Sequence, residues 1–244
     1  MSKRTVYLIF SLAVAAFVVF AVLMEHAGSG PARVRVESKQ ESGYGFVDRE
    51  SVRKYVEEKL GGVPSDSVPG RLLPLEQHIA RSPYVERAMV YRRPSGEVRV
   101  DLWEEQPSFR LVTDTGNYYV SRKDRLMPVR AGVGVDVPLV SGQVDREAFP
   151  KVREVIARVE QDDFFSAQTV GIRVSRRQKN GKAVYDFALD TRVGLQVVLG
   201  EADELDLKFE NFGIIYAYLF SAGKTDAYKV VNLEFGNYVI CKKK

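Results

Sequence analysis

The chain is poor in the residues that most catalytic and metal sites are built from: one cysteine, two histidines and one tryptophan in 244 residues. With Cys241 alone, no intramolecular disulfide and no cysteine-based metal cluster can form, so stability has to come from packing. His26 and His78 have no second histidine at ligand spacing, and His78 falls on an expected helix, which reads as structural. Charge of one sign is also scarce. Thirty-six basic residues against thirty-two acidic ones leave +4, far from the dense basic face that phosphate backbones require. The clusters Arg92-Arg93, Arg176-Arg177 and residues 242–244 read as solvated strand ends and a soluble tail. No repeat or low-complexity tract is present, and 45% hydrophobic with 28% charged residues excludes disorder. Two Ser-x-x-Lys matches, Ser51 to Lys54 and Ser221 to Lys224, lack the companion motifs of a serine nucleophile. Gly43 with Gly45, and Gly132 with Gly134, lack the third glycine of a nucleotide loop and read as turns. No catalytic, metal-binding or cofactor-binding residue is therefore assigned, and neither a small-molecule substrate nor a nucleic acid is expected.

A long apolar run is what the chain does have. Residues 6–24 carry no charge, and at about 1.5 Å per residue a helix of that length spans the hydrocarbon core of a bilayer. Lys3 and Arg4 precede the run and favour an amino end inside, although Arg33, Arg35 and Lys39 lie within the counting window on the far side. A cleavable signal peptide is the competing reading, with small residues at Ala27, Gly28 and Ser29. Its apolar core would be shorter, so a retained anchor is expected, followed by a linker over 25–32.

Residues 33–105 read as strand, helix, helix, strand, strand. Residues 33–37 alternate polar and apolar. Asp48 can cap a helix running to Leu60, stopped by Gly61, Gly62 and Pro64. A shorter helix has Pro74 near its start and Ser82-Pro83 at its end. Residues 84–92 and 97–103 flank an Arg93-Pro94-Ser95-Gly96 turn. In the second arm Val98, Val100 and Leu102 would face the core while Glu97, Arg99 and Asp101 would face water.

Beyond residue 105, Val152, Val155, Ile156 and Val159 follow helical spacing with Pro150 at the start. Residues 170–174, 183–189 and 195–199 read as strands, the first two joined by a Lys179-Asn180-Gly181 turn. Asp203 can cap a helix whose stripe is Leu205, Phe209, Phe212, Tyr216 and Leu219, ending at Ala222-Gly223. Residues 228–235 read as a strand, with a bend at Gly236-Asn237 before 238–240.

Two stretches, LEQHIARSPYVERAMV over 75–90 and EVRVDLWEEQP over 97–107, resemble signatures of the FtsQ/DivIB cell-division family in its POTRA-containing, Bacteroidetes-like version. Residues 117–128 and 137–142 resemble its "YYVD..G..MP" and "VPVV.G" segments, with Gln106, Ser121 and Arg125 standing where arginine, aspartate and glycine are usual. The resemblance implies an α+β chain: a cytoplasmic end over 1–5, a transmembrane helix over 6–24, a POTRA domain (β-α-α-β-β) over 33–105, a mixed α/β "β domain" with a largely antiparallel sheet over 106–241, and a basic tail over 242–244. It implies a non-catalytic, single-pass inner-membrane protein of the division septum, its amino end cytoplasmic and its carboxyl end periplasmic, that binds small bitopic division proteins of the FtsB/FtsL type. The terminal strand would be the docking edge, with Tyr228, Val230, Leu233, Phe235 and Tyr238 against the partner. The alternative is a POTRA-bearing, membrane-anchored component of another envelope secretion or assembly pathway.

Overall fold

The computed structural model describes residues 14, 16, 17, 33–40, 43–63, 67–114, 116–235 and 238–244. The apolar run 6–24 lies outside these residues apart from Val14, Ala16 and Phe17, which are helical and exposed. Among the described residues no helix is long and apolar enough to cross a membrane. The chain divides between Glu104 and Glu105 into two compact units.

In the first unit the order is β1 (Val34–Ser38), α1 (Arg49–Leu60), α2 (Val68–Ala80), β2 (Val85–Arg92) and β3 (Val98–Glu104). Asp48 caps α1 by accepting the Glu50 amide at 3.1 Å, which satisfies one of the donors a helix start leaves orphaned. The start of α2 differs from the expectation. Pro69 occupies the first turn, where its missing N–H costs nothing, and Pro74 lies inside the helix. β3 is central in the order β1-β3-β2, parallel to β1 and antiparallel to β2. Val56, Leu60, Leu75 and Ile79 from the helices close over Val85, Ala88, Val90, Val98, Val100 and Leu102.

The predicted wet face of β3 is not wet at Asp101, which is 7% exposed. A central strand has neighbours on both sides, so its charged face is covered by side chains from the flanking strands. Lys39 Nζ sits 3.3 Å from Asp101, the Tyr91 hydroxyl donates to it, and Arg99 bridges Glu97 and Glu37. The Gln40 side-chain amide extends the β1–β3 ladder, donating to the Glu104 carbonyl at 2.8 Å and accepting its N–H at 3.1 Å.

The second unit holds nine strands in the order β12-β11-β10-β9-β8-β7-β4-β5-β6. These are β4 (Pro107–Thr113), β5 (Gly116–Ser121), β6 (Leu126–Pro128), β7 (Leu139–Gly142), β8 (Thr169–Lys179), β9 (Lys182–Thr191), β10 (Gln196–Gly200), β11 (Tyr228–Asn232) and β12 (Ile240–Lys243). The sheet is mixed: β4–β7, β7–β8 and β10–β11 are parallel, and the other neighbours are antiparallel. A parallel neighbour needs a crossover, and helices supply two of them. α3 (Phe149–Glu160) and α4 (Asp163–Gln168) carry the chain from β7 to β8, and α5 (Leu205–Ser221) carries it from β10 to β11. All three helices join one apolar core with the sheet. The expected stripes Val152, Val155, Ile156, Val159 and Leu205, Phe209, Phe212, Tyr216, Leu219 are buried in it. The short α4 was not foreseen. Its Phe165 ring packs 5.0 Å from Phe209 and 5.3 Å from Phe212, and Phe164 meets Tyr216 at 4.9 Å.

The turn after β5 keeps a side-chain acceptor despite its changed residues. Ser121 Oγ accepts the amides of Lys123 at 3.1 Å and Arg125 at 3.2 Å. The left-handed position falls on Asp124 (φ 62°), so Arg125 needs no glycine. Asn180 and Gly181, both with positive φ, make the β8–β9 turn as expected.

Asp203 does not cap α5; Glu204 holds that place in a left-handed conformation without a side-chain cap. Asp203 instead pairs with Lys208, whose ammonium is 2% exposed and also donates to the Glu201 carbonyl at 2.9 Å. Burial pushes the Asp203 carboxyl up, and the Lys208 hydrogen bond and charge more than offset it, so the net shift is downward. A depressed carboxyl stabilises the fold above its ordinary value of 3.8, and that contribution is lost as pH falls through the folded-state value. The Asp203 side chain is itself 65% exposed, so water screens the pair, and Asp203→Ala, which leaves Lys208 the Glu201 carbonyl, is expected to lower stability by about 1 kcal/mol. Adding Lys208→Met should return part of that loss in a urea unfolding midpoint.

Candidate interaction surface

The two strands that follow α5 extend the sheet beyond β10. β11 pairs with β10 in parallel, Val197 opposite Val231, and β12 then folds back antiparallel, Cys241 opposite Val231 and Lys242 opposite Val230. The link between them is held at its start. The Leu233 amide donates to the Val198 carbonyl at 2.8 Å, and the Glu234 amide to Asn232 Oδ1 at 2.8 Å. Gly200, at φ 68°, lets this link pass close, since a Cβ there would stand 2.7 Å from Glu234 Cγ.

β11 is thus an internal strand: the expected docking surface over 228–240 runs from β11 to the first residue of β12, and the last strand, β12, ends the sheet on this side. Backbone alternation shows which of its groups are open. The Leu233 N–H faces β10, so those of Val230 and Asn232 face β12. The Lys244 amide donates to the Ala227 carbonyl at 3.1 Å, so Lys242 and Ile240 face β11. The N–H groups of Cys241 and Lys243 therefore point to the open side, where an added strand finds its donors.

The five expected contact residues separate. Leu233 is 1% exposed and belongs to the core, while Tyr228 and Val230 are half-buried. Phe235 and Tyr238 are 55% and 73% exposed. Within the expected surface the structure also exposes Ile240, the first residue of β12, at 53%. An apolar residue at the end of a short alternating stretch looks the same whether it closes a core or lines a rim. The Cys241 side chain is half-buried against the core, and burial pushes its thiol up, away from the reactive thiolate. The basic tail is likewise corrected, because Lys242 and Lys243 are strand residues of β12.

α5 carries a second apolar surface. Leu207, Ile214 and Tyr218 are exposed on one face while the opposite stripe fills the core, and the exposed Phe220 flanks that stripe, stacked on Tyr216. The signal was present in the sequence as more apolar residues than one stripe needs.

The residues weighed for chemistry have structural tasks. The His78 ring stacks on Tyr55 at 4.6 Å. Ser51 Oγ donates to the capping Asp48 carboxylate and Ser221 Oγ to the Tyr218 carbonyl, so both serines serve helix ends. Among the described residues no group of three or more histidines, cysteines or carboxylates could hold a metal ion. His26 lies outside the described residues.

Compared with known proteins, residues 106–242, more than half the chain and nearly all of the second unit, match the family model described as FtsQ/DivIB, C-terminal related. No curated protein matches the chain.

Proposed function

The chain belongs to the FtsQ/DivIB, C-terminal related family, and from that premise we propose that it is a non-catalytic, membrane-anchored scaffold of the division machinery whose β12 edge receives an extended segment of a partner. The family ties the chain to cell division. The finer reading rests on one observation: β12 ends the sheet with the Cys241 and Lys243 amides facing outward beside exposed Phe235, Tyr238 and Ile240. An edge of that kind offers register through its backbone and affinity through its apolar rim, which is how strand addition works. The partner is a bitopic division protein of the FtsB/FtsL type. The first unit, with its β-α-α-β-β order, acts as a POTRA domain, and residues 6–24 hold both units on the periplasmic side of the inner membrane at the septum. Confinement to a membrane raises the effective concentration of anchored partners, so a four-residue edge suffices.

A photo-crosslinking residue placed at 235 or 238 in intact cells tests this. Adducts with a single-pass division protein, at midcell, are expected from both positions. A uniform peripheral signal with adducts to other envelope proteins would favour a secretion or assembly role instead. Phe235→Asp with Tyr238→Asp should weaken capture by at least about tenfold, since truncating an aromatic anchor that the partner buries costs about 2 kcal/mol or more.

A further inference from the structure

The first unit also has an open strand, β2, and it is treated differently. β2 lies at the end of the order β1-β3-β2. The Arg93 amide donates to the Glu97 carbonyl across the hairpin at 2.8 Å. By alternation the backbone groups of Met89 and Tyr91 then face β3, and those of Ala88, Val90 and Arg92 face the open side. Of these, the Val90 N–H is occupied. It donates at 2.9 Å to Glu76 Oε2, a carboxylate from α2, the helix packed beside the strand. Leu75 and Ile79 of α2 are in the core, which fixes the helix and sets Glu76 at its flank.

That edge is self-complementary in sequence. Two copies of β2 laid antiparallel about Met89 set Ala88 opposite Val90, Glu86 opposite Arg92, and the exposed Met89 opposite itself. The Ala88–Val90 pairs are the hydrogen-bonded ones in this register, so a dimer would use the Val90 N–H, the donor that Glu76 holds. A two-fold pairing of this kind repeats each contact and closes on itself. In a membrane-anchored protein the copies would meet at high local concentration.

We propose that Glu76 is a guard residue that closes the β2 edge of the first unit to strand pairing with a second copy of this chain. A carboxylate suits the task. It satisfies the amide with a strong, charge-assisted bond and sets a negative charge where the neighbouring strand's carbonyls would arrive. The guard acts on the first unit whichever partner β12 takes, so it stands or falls apart from the function proposed above.

The test compares the full chain, purified in mild detergent, with Glu76→Ala and Glu76→Gln. Hydrogen exchange at the Val90 amide is read relative to Val100 in the central strand, so that a general loosening of the unit cancels. Glu76→Ala is expected to speed relative exchange at Val90 about 10- to 100-fold, the worth of a charged hydrogen bond. Glu76→Gln, which keeps an acceptor but not the charge, should fall between the parent and the alanine variant. A peptide copying residues 85–92 should bind the alanine variant at least about tenfold more tightly than the parent. Equal relative exchange at Val90 in parent and alanine variant, or equal peptide binding by both, overturns the proposal.

Discussion

Proline at both Cys241 and Lys243 is expected to reduce partner capture about 100-fold or more, equivalent to about 2.7 kcal/mol, while the chain stays folded. The N–H groups of these two residues face the open side of β12. Proline there removes two donors from the incoming strand and puts a ring in its path, yet leaves the bonds from Ile240 and Lys242 to β11 in place. Lys242→Pro is the converse. It breaks the ladder that holds β12 on β11, and should lower stability as well as capture. Co-purification of the single-pass partner from crosslinked membranes measures the first effect, and thermal unfolding separates it from the second. Undiminished capture by the double proline variant would mean that the partner docks elsewhere, and the exposed face of α5 would be the place to look. A cruder cut, removal of 228–244, would be uninformative. It takes Val231 and Leu233 out of the core and opens the sheet from β10 onward.

Gly142→Ala should cost more than about 3 kcal/mol or prevent folding of the second unit, the largest stability loss expected from any single methyl group here. Gly142 ends β7 at φ 100°, paired with Val174 of β8, and a Cβ on it would lie 2.1 Å from the Val174 carbonyl oxygen. The obstacle is backbone in a central strand, which cannot rotate aside. That carbonyl also accepts the Gln143 amide at 2.9 Å, so any retreat would open the sheet between β7 and β8. Gly132→Ala is the control. It too has positive φ (81°), but nothing lies within 4 Å of a Cβ there, so only the left-handed strain of about 1 kcal/mol applies. If the two alanine variants unfold at the same urea concentration, the close approach at Gly142 is refuted.

Much of the fold was legible where the pattern is long. The helices over Arg49–Leu60, Phe149–Glu160 and Leu205–Ser221 follow from caps, prolines and apolar stripes, and the stripe residues are the ones buried. The hairpins at Arg93-Pro94-Ser95-Gly96 and Lys179-Asn180-Gly181 follow from turn chemistry. The six-residue α4 was too short to show periodicity, and its two phenylalanines gain their meaning only from Phe209, Phe212 and Tyr216 on a helix some forty residues away. Gly142 was readable as part of a segment, but the Val174 oxygen that requires a glycine comes from another strand.

Where the sheet ends within 228–240 was not legible, for a related reason. Alternating residues encode which side of a strand faces the core, perpendicular to the sheet; they carry no mark of which strand lies beside it in the plane. Tyr228–Asn232 and Ile240–Lys243 are both short and extended, and only the pairing of the first with β10 as well as β12, and of the second, among the described residues, with β11 alone, makes one internal and the other an edge. The same in-plane information turned Asp101 from a solvent-facing charge into a buried one. By itself the sequence determined the longer helices and strands and the apolar stripes they bury, because local dihedral preference and apolar periodicity act within a few residues. The tertiary structure alone decided which strands are neighbours, which backbone amides remain open, and which of them a distant side chain such as Glu76 has taken, because those depend on contacts between residues far apart in the chain.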